Sequence, residues 1–201
     1  NYANWNNAPG TTFTGPTWRD VNMALGFDGS SFLEWISDTG DFRAELQGKT
    51  ASLFARIPFE LTDPNAVNEM TLRMRWDDGF IAYVNGVKIA SDRDPASPGW
   101  DAVATDKRSD PLNDDWEVFS VDLNSLNLVE GTNVLAIHGM NESIGSSDVL
   151  IYPELDIAVT GGVNNSTGYM SEPSFEGVNN EISDIVAPIV TETTDSPERP
   201  V

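Results

Sequence analysis

The chain has 201 residues, 39% of them hydrophobic, which is enough for one folded domain with a buried core. Its 32 acidic residues and 11 Lys and Arg residues give a formal net charge of -21, which argues against nucleic acid and anionic membranes as partners. The absence of cysteine excludes disulfides, thiolate catalysis and zinc-cysteine sites, and no apolar run approaches the roughly 18 residues that span a bilayer.

Short runs of alternating apolar and polar residues, between residues 51 and 160, predict antiparallel strands with one buried face. The run 51–61 places apolar side chains on one face at Leu53, Ala55, Ile57, Phe59 and Leu61. The run 70–76 does the same with Met70, Leu72, Met74 and Trp76. These two runs are the first predicted strands.

A hairpin is predicted next, because FIAYV and VKIA flank Asn85-Gly86, which tolerates the positive φ of a two-residue type I′ turn. Runs at 116–123, 132–140 and 148–159 supply the remaining strands. About seven strands between turns predict an all-β fold, an antiparallel β-sandwich or jelly roll, spanning residues 1–160. Residues 161–201 are rich in Pro, Ser, Thr and Asn and hold seven acids and one Arg, which indicates an acidic linker or C-terminal extension.

Strand direction predicts which loops share an end of the sandwich. If consecutive strands are antiparallel, the Asp77-Asp78-Gly79 turn, the loop from Ser91 to Asp115 and the loop 140–148 meet at one end. The Asn85-Gly86 turn and two shorter connections fall at the other end. Long polar loops on a β-sandwich commonly carry a binding surface, so the first end is the predicted site.

Three stretches carry a resemblance: LFARIPFELTDPNAVNEMTLRMRWDDGFIAYVNGVKIA, GWDAVAT and GTNVLAIHGMNESIGSSDVLIYPEL. They resemble the galactose-binding-like jelly-roll domain of large secreted bacterial proteins with several domains. The resemblance covers roughly residues 50–180 and implies a β-sandwich related to carbohydrate-binding modules. The first 50 residues carry little of it.

The Asp-Asp-Gly and Asn-Gly turns are also similar to those of the adhesin domain of the anthrax-protective-antigen type, in which paired aspartates bind calcium and calcium binds sugar hydroxyls. Carried over by residue, this resemblance implies Asp77 and Asp78 as calcium ligands, and carboxylates are suitable ligands for calcium. Asp-Asp-Gly is equally good chemistry for an ordinary turn, and this alternative stays open.

A second calcium site is implied by the same family resemblance, because galactose-binding-like modules often hold calcium between an early loop and the last strand. Asp28, Glu154 and Asp156 are its candidate ligands. The alternative is that these are exposed acids with no metal.

Loop residues at the predicted binding end are the candidates for sugar contact. Trp35 and Trp100 offer broad faces for stacking on a pyranose ring, and Arg93, Asp101 and Asn141 offer hydrogen bonds to hydroxyls. Local clustering beneath a long loop is the alternative for the two tryptophans. Trp76 and Trp116, at the ends of strands, are predicted to be core residues.

Catalysis has little support in the sequence. His138 is the only histidine and follows no nucleophile elbow, so it is predicted to be structural, and no pair of acids stands out as a glycosidase pair. We therefore expect a module without catalytic activity.

Taken together, the sequence predicts a noncatalytic carbohydrate-binding module that tethers a secreted or surface multidomain protein to polysaccharide, with calcium as its cofactor. The first residues, NYANWNNAPG, lack the features of a signal peptide, so we expect a piece of a longer protein with neighbouring domains as partners. A spacer or adhesion domain that binds no sugar is the alternative, and a polysaccharide-degrading domain is a third possibility.

Overall fold

The computed structural model describes residues 5–6, 18, 20–29, 34–109 and 115–160. The strands within these residues are β1 (Leu25–Phe27), β2 (Ser52–Leu61), β3 (Val67–Asp77), β4 (Gly79–Val84), β5 (Val87–Asp92), β6 (Glu117–Ser120), β7 (Gly131–Met140) and β8 (Val149–Val159). A four-residue helix, α1 (Arg43–Leu46), precedes β2. The predicted extension 161–201 lies outside the described residues, so the boundary at residue 160 stays a prediction.

The strands form two four-stranded antiparallel sheets. The first has the order β1-β8-β3-β6 and the second the order β2-β7-β4-β5, so successive strands pass from one sheet to the other at most connections. This order is that of a jelly roll, in which two Greek keys share a double-sheet core. The predicted antiparallel β-sandwich is therefore confirmed. Among the described residues, no helix has the length and apolar character needed to cross a membrane.

Period-two alternation builds the core between the sheets. The predicted inward residues of β2 and β3 are buried, and Trp76 and Phe80 meet there at 4.8 Å between ring centroids. Phe119 of β6 completes this aromatic group, 5.8 Å from Trp76 and 5.5 Å from Phe80. Because each ring fills space between two layers, the group fixes the first sheet against the second.

The outer face of the second sheet is covered by Trp5, a residue for which the sequence pattern offers no position. Its ring lies edge-on to Phe54 at 4.8 Å and to Tyr83 at 5.7 Å. Arg56, on the same face of β2, is buried and donates a hydrogen bond to the carbonyl of Trp5. This cover explains why β2 is buried on both faces although its sequence alternates.

The predicted β4–β5 hairpin is present, with the residue pair Val84 and Val87 closing a two-residue loop. Asn85 and Gly86 both have positive φ, 47° and 86°, as a type I′ turn requires. The Asn85 side chain also accepts from the backbone N–H of Val134 and donates to Asn133 Oδ1, both at under 3 Å. The turn is thereby fixed to β7.

Candidate functional site

The Asp78 end is our name for the end of the sandwich formed by the β3–β4 turn at Asp77–Gly79, the loop 93–109 and the loop 141–148. The predicted meeting of these three loops is confirmed. The Asp78 carboxylate accepts hydrogen bonds from the backbone N–H groups of Arg108 and Glu142, each at 2.9 Å, and so joins one residue of each long loop. Its own N–H donates to the carbonyl of Met140 at 3.2 Å.

Further backbone bonds connect the two long loops with each other and with the chain before β2. Ala104 N–H donates to the Asn141 carbonyl at 2.8 Å, and Asn141 N–H donates to the Ala51 carbonyl at 2.8 Å. Gly48 N–H donates to the Ile144 carbonyl at 2.7 Å. The segment before β2 thus also reaches the Asp78 end.

The aspartate pair is more than a surface turn, because both residues are completely buried. Gly79 beside them is closely packed, since an added Cβ would lie 3.0 Å from Ala104 Cβ and 3.1 Å from the Asp92 carbonyl oxygen. A buried carboxylate is costly unless hydrogen bonds or a cation compensate it. Asp78 has two N–H donors, and each of its oxygens keeps a second lone pair.

Asn141 is a buried polar residue of the same end. It lies between Met140 and Glu142, both of which bond to Asp78, and its buried Oδ1 has no hydrogen-bond partner among the described residues. Carboxylate and amide oxygens are the type of donor that calcium prefers. Three or more acidic or histidine side chains do not converge anywhere in the part of the chain that the structure describes.

The second predicted calcium group is not brought together. Asp28 follows β1, whose residue Phe27 pairs with Val149 at the start of β8. Asp156 lies on β8 opposite Thr71, and at about 3.3 Å per strand residue it is more than about 20 Å from Val149. One ion cannot bind both, so these residues do not form the single site that the resemblance implies.

Each acid of that group has a separate environment. Asp28 is buried, and its carbonyl accepts a hydrogen bond from the Arg43 guanidinium at 2.5 Å. Glu154 forms an ion pair with Arg73 at 2.5 Å. Burial raises the pKa of the Asp156 carboxyl, an effect that the nearby positive charge of Arg73 opposes.

Trp100 is the large aromatic side chain that the Asp78 end exposes. It is 63% exposed and sits in a turn closed by a hydrogen bond from Ala102 N–H to the Gly99 carbonyl. Asp101 beside it is exposed as well. Val103 and Ile144 add exposed apolar surface from the two long loops.

Arg93 lies at the base of the Trp100 loop. It has φ 51°, its guanidinium pairs with the adjacent Asp92, and its carbonyl accepts from Thr105 N–H at 2.8 Å. These contacts shape the loop, while the predicted sugar contact stays untested.

Trp35 and Trp116 occupy a different surface. Trp35 is half-buried, and the Arg75 guanidinium lies 4.5 Å from the centroid of its ring. The same guanidinium lies 4.7 Å from the ring centroid of Trp116. Arg75 alternates with the core residue Trp76, so this group lies on the outer face of the first sheet. The prediction that Trp116 is a core residue is therefore wrong, whereas the same prediction for Trp76 is confirmed.

His138 has an unexpected partner, Ser52, whose Oγ lies 2.9 Å from His138 Nε2. Ser52 donates its single hydroxyl proton to the Ala102 carbonyl at 2.8 Å, so Nε2 of the imidazole must be the donor to Oγ. Burial lowers the pKa of His138 to about 3, and the ring stacks on Phe54 at 4.2 Å. An imidazole protonated on Nε2 cannot take the serine proton, which supports the structural role.

Arg108 is another residue that no sequence pattern indicates. Its side chain is buried over the Trp76 ring at 3.7 Å from the centroid and donates to Glu117 at 2.6 Å. It lies in a polar loop of alternating charges, where no periodicity distinguishes it from its neighbours. Its contacts with Asp78, Trp76 and Glu117 appear only in the folded structure.

No protein-family model matches the chain, and no curated protein matches it. Among solved structures, an α-L-rhamnosidase from Aspergillus terreus is 14% identical with a TM-score of 0.34, over 55% of this chain and 13% of that one. An α-L-rhamnosidase from Dictyoglumus thermophilum is 11% identical with a TM-score of 0.35, over 81% and 15%. The PA14 domain of the MpAFP antifreeze protein is 13% identical with a TM-score of 0.36, over 79% and 71%.

This chain thus spans less than a sixth of the length of either rhamnosidase. At these identities and TM-scores the neighbours assign neither a fold nor a function. The fold rests on the strand order and register described above.

Proposed function

We propose that this jelly roll is a noncatalytic carbohydrate-binding module that tethers a secreted or surface multidomain protein to polysaccharide through its Asp78 end. The observation that carries the proposal is the exposed indole of Trp100 on loops that the buried Asp78 carboxylate fixes in place. An exposed aromatic face stacks on the C–H surface of a sugar ring, and a fixed loop binds with little loss of conformational entropy.

Calcium is the proposed cofactor of this site. The carboxylates of Asp77 and Asp78 and the amide oxygen of Asn141 would hold it, in keeping with the oxygen ligands that calcium takes. A bound calcium ion would accept sugar hydroxyls in place of water. Trp100 would orient the ring, and Asp101 would accept hydrogen bonds from the remaining hydroxyls.

The experiment is binding to a broad panel of glycans in millimolar calcium and in chelator. The Trp100→Ala variant is expected to lose at least about tenfold in affinity, because it loses the stacking surface. Val129→Ala is the matched control, since Val129 is 44% exposed and lies in the β6–β7 connection, at the other end of the sandwich. Its affinity should equal that of the unmodified protein.

A thermal unfolding measurement at constant ionic strength tests the metal separately. Calcium should raise the melting temperature of the unmodified protein, because it binds only the folded state. Asp78→Asn should abolish this rise. The matched change Asp122→Asn should keep it, since the Asp122 carboxylate also accepts a backbone N–H, from Asn124, but outside the Asp78 end.

The proposal fails if folded protein binds no glycan in calcium or in chelator, and the spacer function then takes its place. Release of soluble sugar from polysaccharide would instead show a catalytic domain. Circular dichroism establishes that every variant is folded before binding is compared.

A further inference from the structure

A second surface, separate from the loops of the Asp78 end, lies on the outer face of the first sheet. We call it the arginine ladder; its members are Trp35, Arg73, Arg75, Trp116, Tyr152 and Glu154. The Arg75 guanidinium lies over two indoles, 4.5 Å from the Trp35 centroid and 4.7 Å from that of Trp116. Arg73 lies 5.0 Å from Trp116, and Tyr152 lies 5.0 Å from the same ring.

The two arginines of the ladder differ in their charge balance. The Arg73 guanidinium is paired with Glu154 at 2.5 Å. The Arg75 side chain makes no ion pair or hydrogen bond with the residues that the structure describes, and its Nε is buried without a partner. Stacking on two indoles stabilises the cation and holds its plane fixed, but it does not satisfy the N–H donors.

Tyr152 is the cross-strand neighbour of Arg75 on this face. Arg75 and Tyr152 are directly opposite each other in the β3–β8 register, and both alternate with core residues, so their side chains leave the same face as neighbours. The phenol of Tyr152 likewise makes no hydrogen bond within the described ranges of the chain. A planar guanidinium beside a phenol O–H is a donor set for a carboxylate, which the guanidinium can bind through two parallel bonds.

We propose that the arginine ladder binds the carboxylate of a hexuronate residue in an acidic saccharide. Arg75 and Tyr152 bind the carboxylate, and the half-buried indoles of Trp35 and Trp116 contact the sugar ring beside it. An inorganic anion would leave these apolar flanks in water, whereas a sugar acid covers them.

The net charge of -21 does not prevent this binding. At physiological ionic strength the Debye length is about 8 Å, so Arg75 acts on a ligand in contact while more distant acids are screened. A short uronate oligosaccharide therefore suits the ladder better than a long polyanion, whose remote charges the acidic surface repels.

The test is titration calorimetry of the full chain with galacturonate oligosaccharides, in chelator so that a calcium site makes no contribution. The comparison ligand is the neutral galactose oligosaccharide of the same length. We expect binding of the acid at least tenfold tighter than that of the neutral sugar. Arg75→Met should weaken it at least tenfold, and Tyr152→Phe, which removes only the hydroxyl, should weaken it severalfold.

The matched control is Arg43→Met, because Arg43 also stacks on an aromatic ring, Phe27 at 5.1 Å, but outside the ladder. It should leave binding of the acid unchanged. Equal binding of acid and neutral sugars overturns the proposal, as does full binding by Arg75→Met or Tyr152→Phe. Tighter binding of an acidic peptide of equal charge would assign the ladder to a protein partner instead and also overturns it. Since this site needs neither calcium nor Trp100, its failure and that of the proposed function are distinguishable.

Discussion

Single buried polar residues hold the loops of the Asp78 end. Asp78 joins two loops through its carboxylate, and His138 acts through Ser52 on the Ala102 carbonyl two residues after Trp100. Burial beside Phe54 keeps the imidazole neutral, and its Nε2–H donates to Ser52.

His138 should make the stability of the fold depend on pH. Its pKa is about 3 in the folded protein and about 6.5 when unfolded, so between these values the unfolded chain binds more protons. The stabilising contribution is complete above about pH 6.5 and is lost as the pH falls towards 3. Between pH 6 and pH 5, the free energy of unfolding should fall by roughly 1 kcal/mol on this account.

The measurement is denaturant unfolding at pH 6 and pH 5, compared with the His138→Gln variant. The readout is the change with pH rather than the absolute stability, because the substitution also alters packing against Phe54. If the free energy of unfolding of the variant changes with pH as much as that of the unmodified protein, the carboxyl groups and not His138 cause the change.

Residue types in the sequence indicated the Asp77-Asp78 corner but not its burial. The sequence Asp-Asp-Gly is the same in an exposed turn and in a buried turn that joins two loops. The buried turn here is distinguished by the N–H groups of residues 108 and 142, which donate to Asp78. The same limit applies to Trp35, which belongs to a polar loop by sequence but stacks on Arg75 of β3. Partners far along the chain leave no local pattern.

At the scale of elements, the strands were predictable wherever apolar and polar residues alternate in the sequence. β2, β3 and the β4–β5 hairpin follow from alternation and from Asn85-Gly86, since both are local signals. β1 has only three residues and an unusual glycine, Gly26 at φ 145°, where an added Cβ would lie 1.9 Å from the Val149 carbonyl oxygen. Its pairing with β8 depends on that close approach, which the sequence alone does not reveal.

Gly139 in β7 should control the spacing between the sheets. An added Cβ would lie 2.6 Å from both Cγ1 and Cδ1 of Ile151 in β8, on the facing sheet. Gly139→Ala should therefore reduce the free energy of unfolding by about 1–3 kcal/mol through overpacking. Ile151→Val in the same chain removes Cδ1 and should recover part of the loss.

Urea unfolding of the single and double variants measures this coupling. Gly145→Ala is the control, since its nearest contact would be 3.9 Å away, and its stability should change little. Simple addition of the two single effects, without recovery, would show that the sheets relax around the new methyl group.

At the scale of the whole molecule, the net charge of -21 opposes the compact state. Raising sodium chloride from about 10 mM to about 500 mM in chelator should therefore raise the melting temperature by several degrees, because the Debye length falls from roughly 30 Å to below about 8 Å. Differential scanning calorimetry measures the shift. An unchanged or lower melting temperature would mean that local ion pairs with Arg and Lys already offset the repulsion between acidic residues, as the Glu154–Arg73 pair does.

The jelly-roll strand order also has a consequence for synthesis on the ribosome. β8, the last described strand, lies between β1 and β3, so a nascent chain that stops before residue 149 has a gap in the middle of its first sheet. Leu72 and Trp76 stay uncovered by β8 until that strand emerges. Contacts over such long sequence separations are slow to form, so the domain is expected to fold as one unit after its synthesis, within milliseconds to seconds.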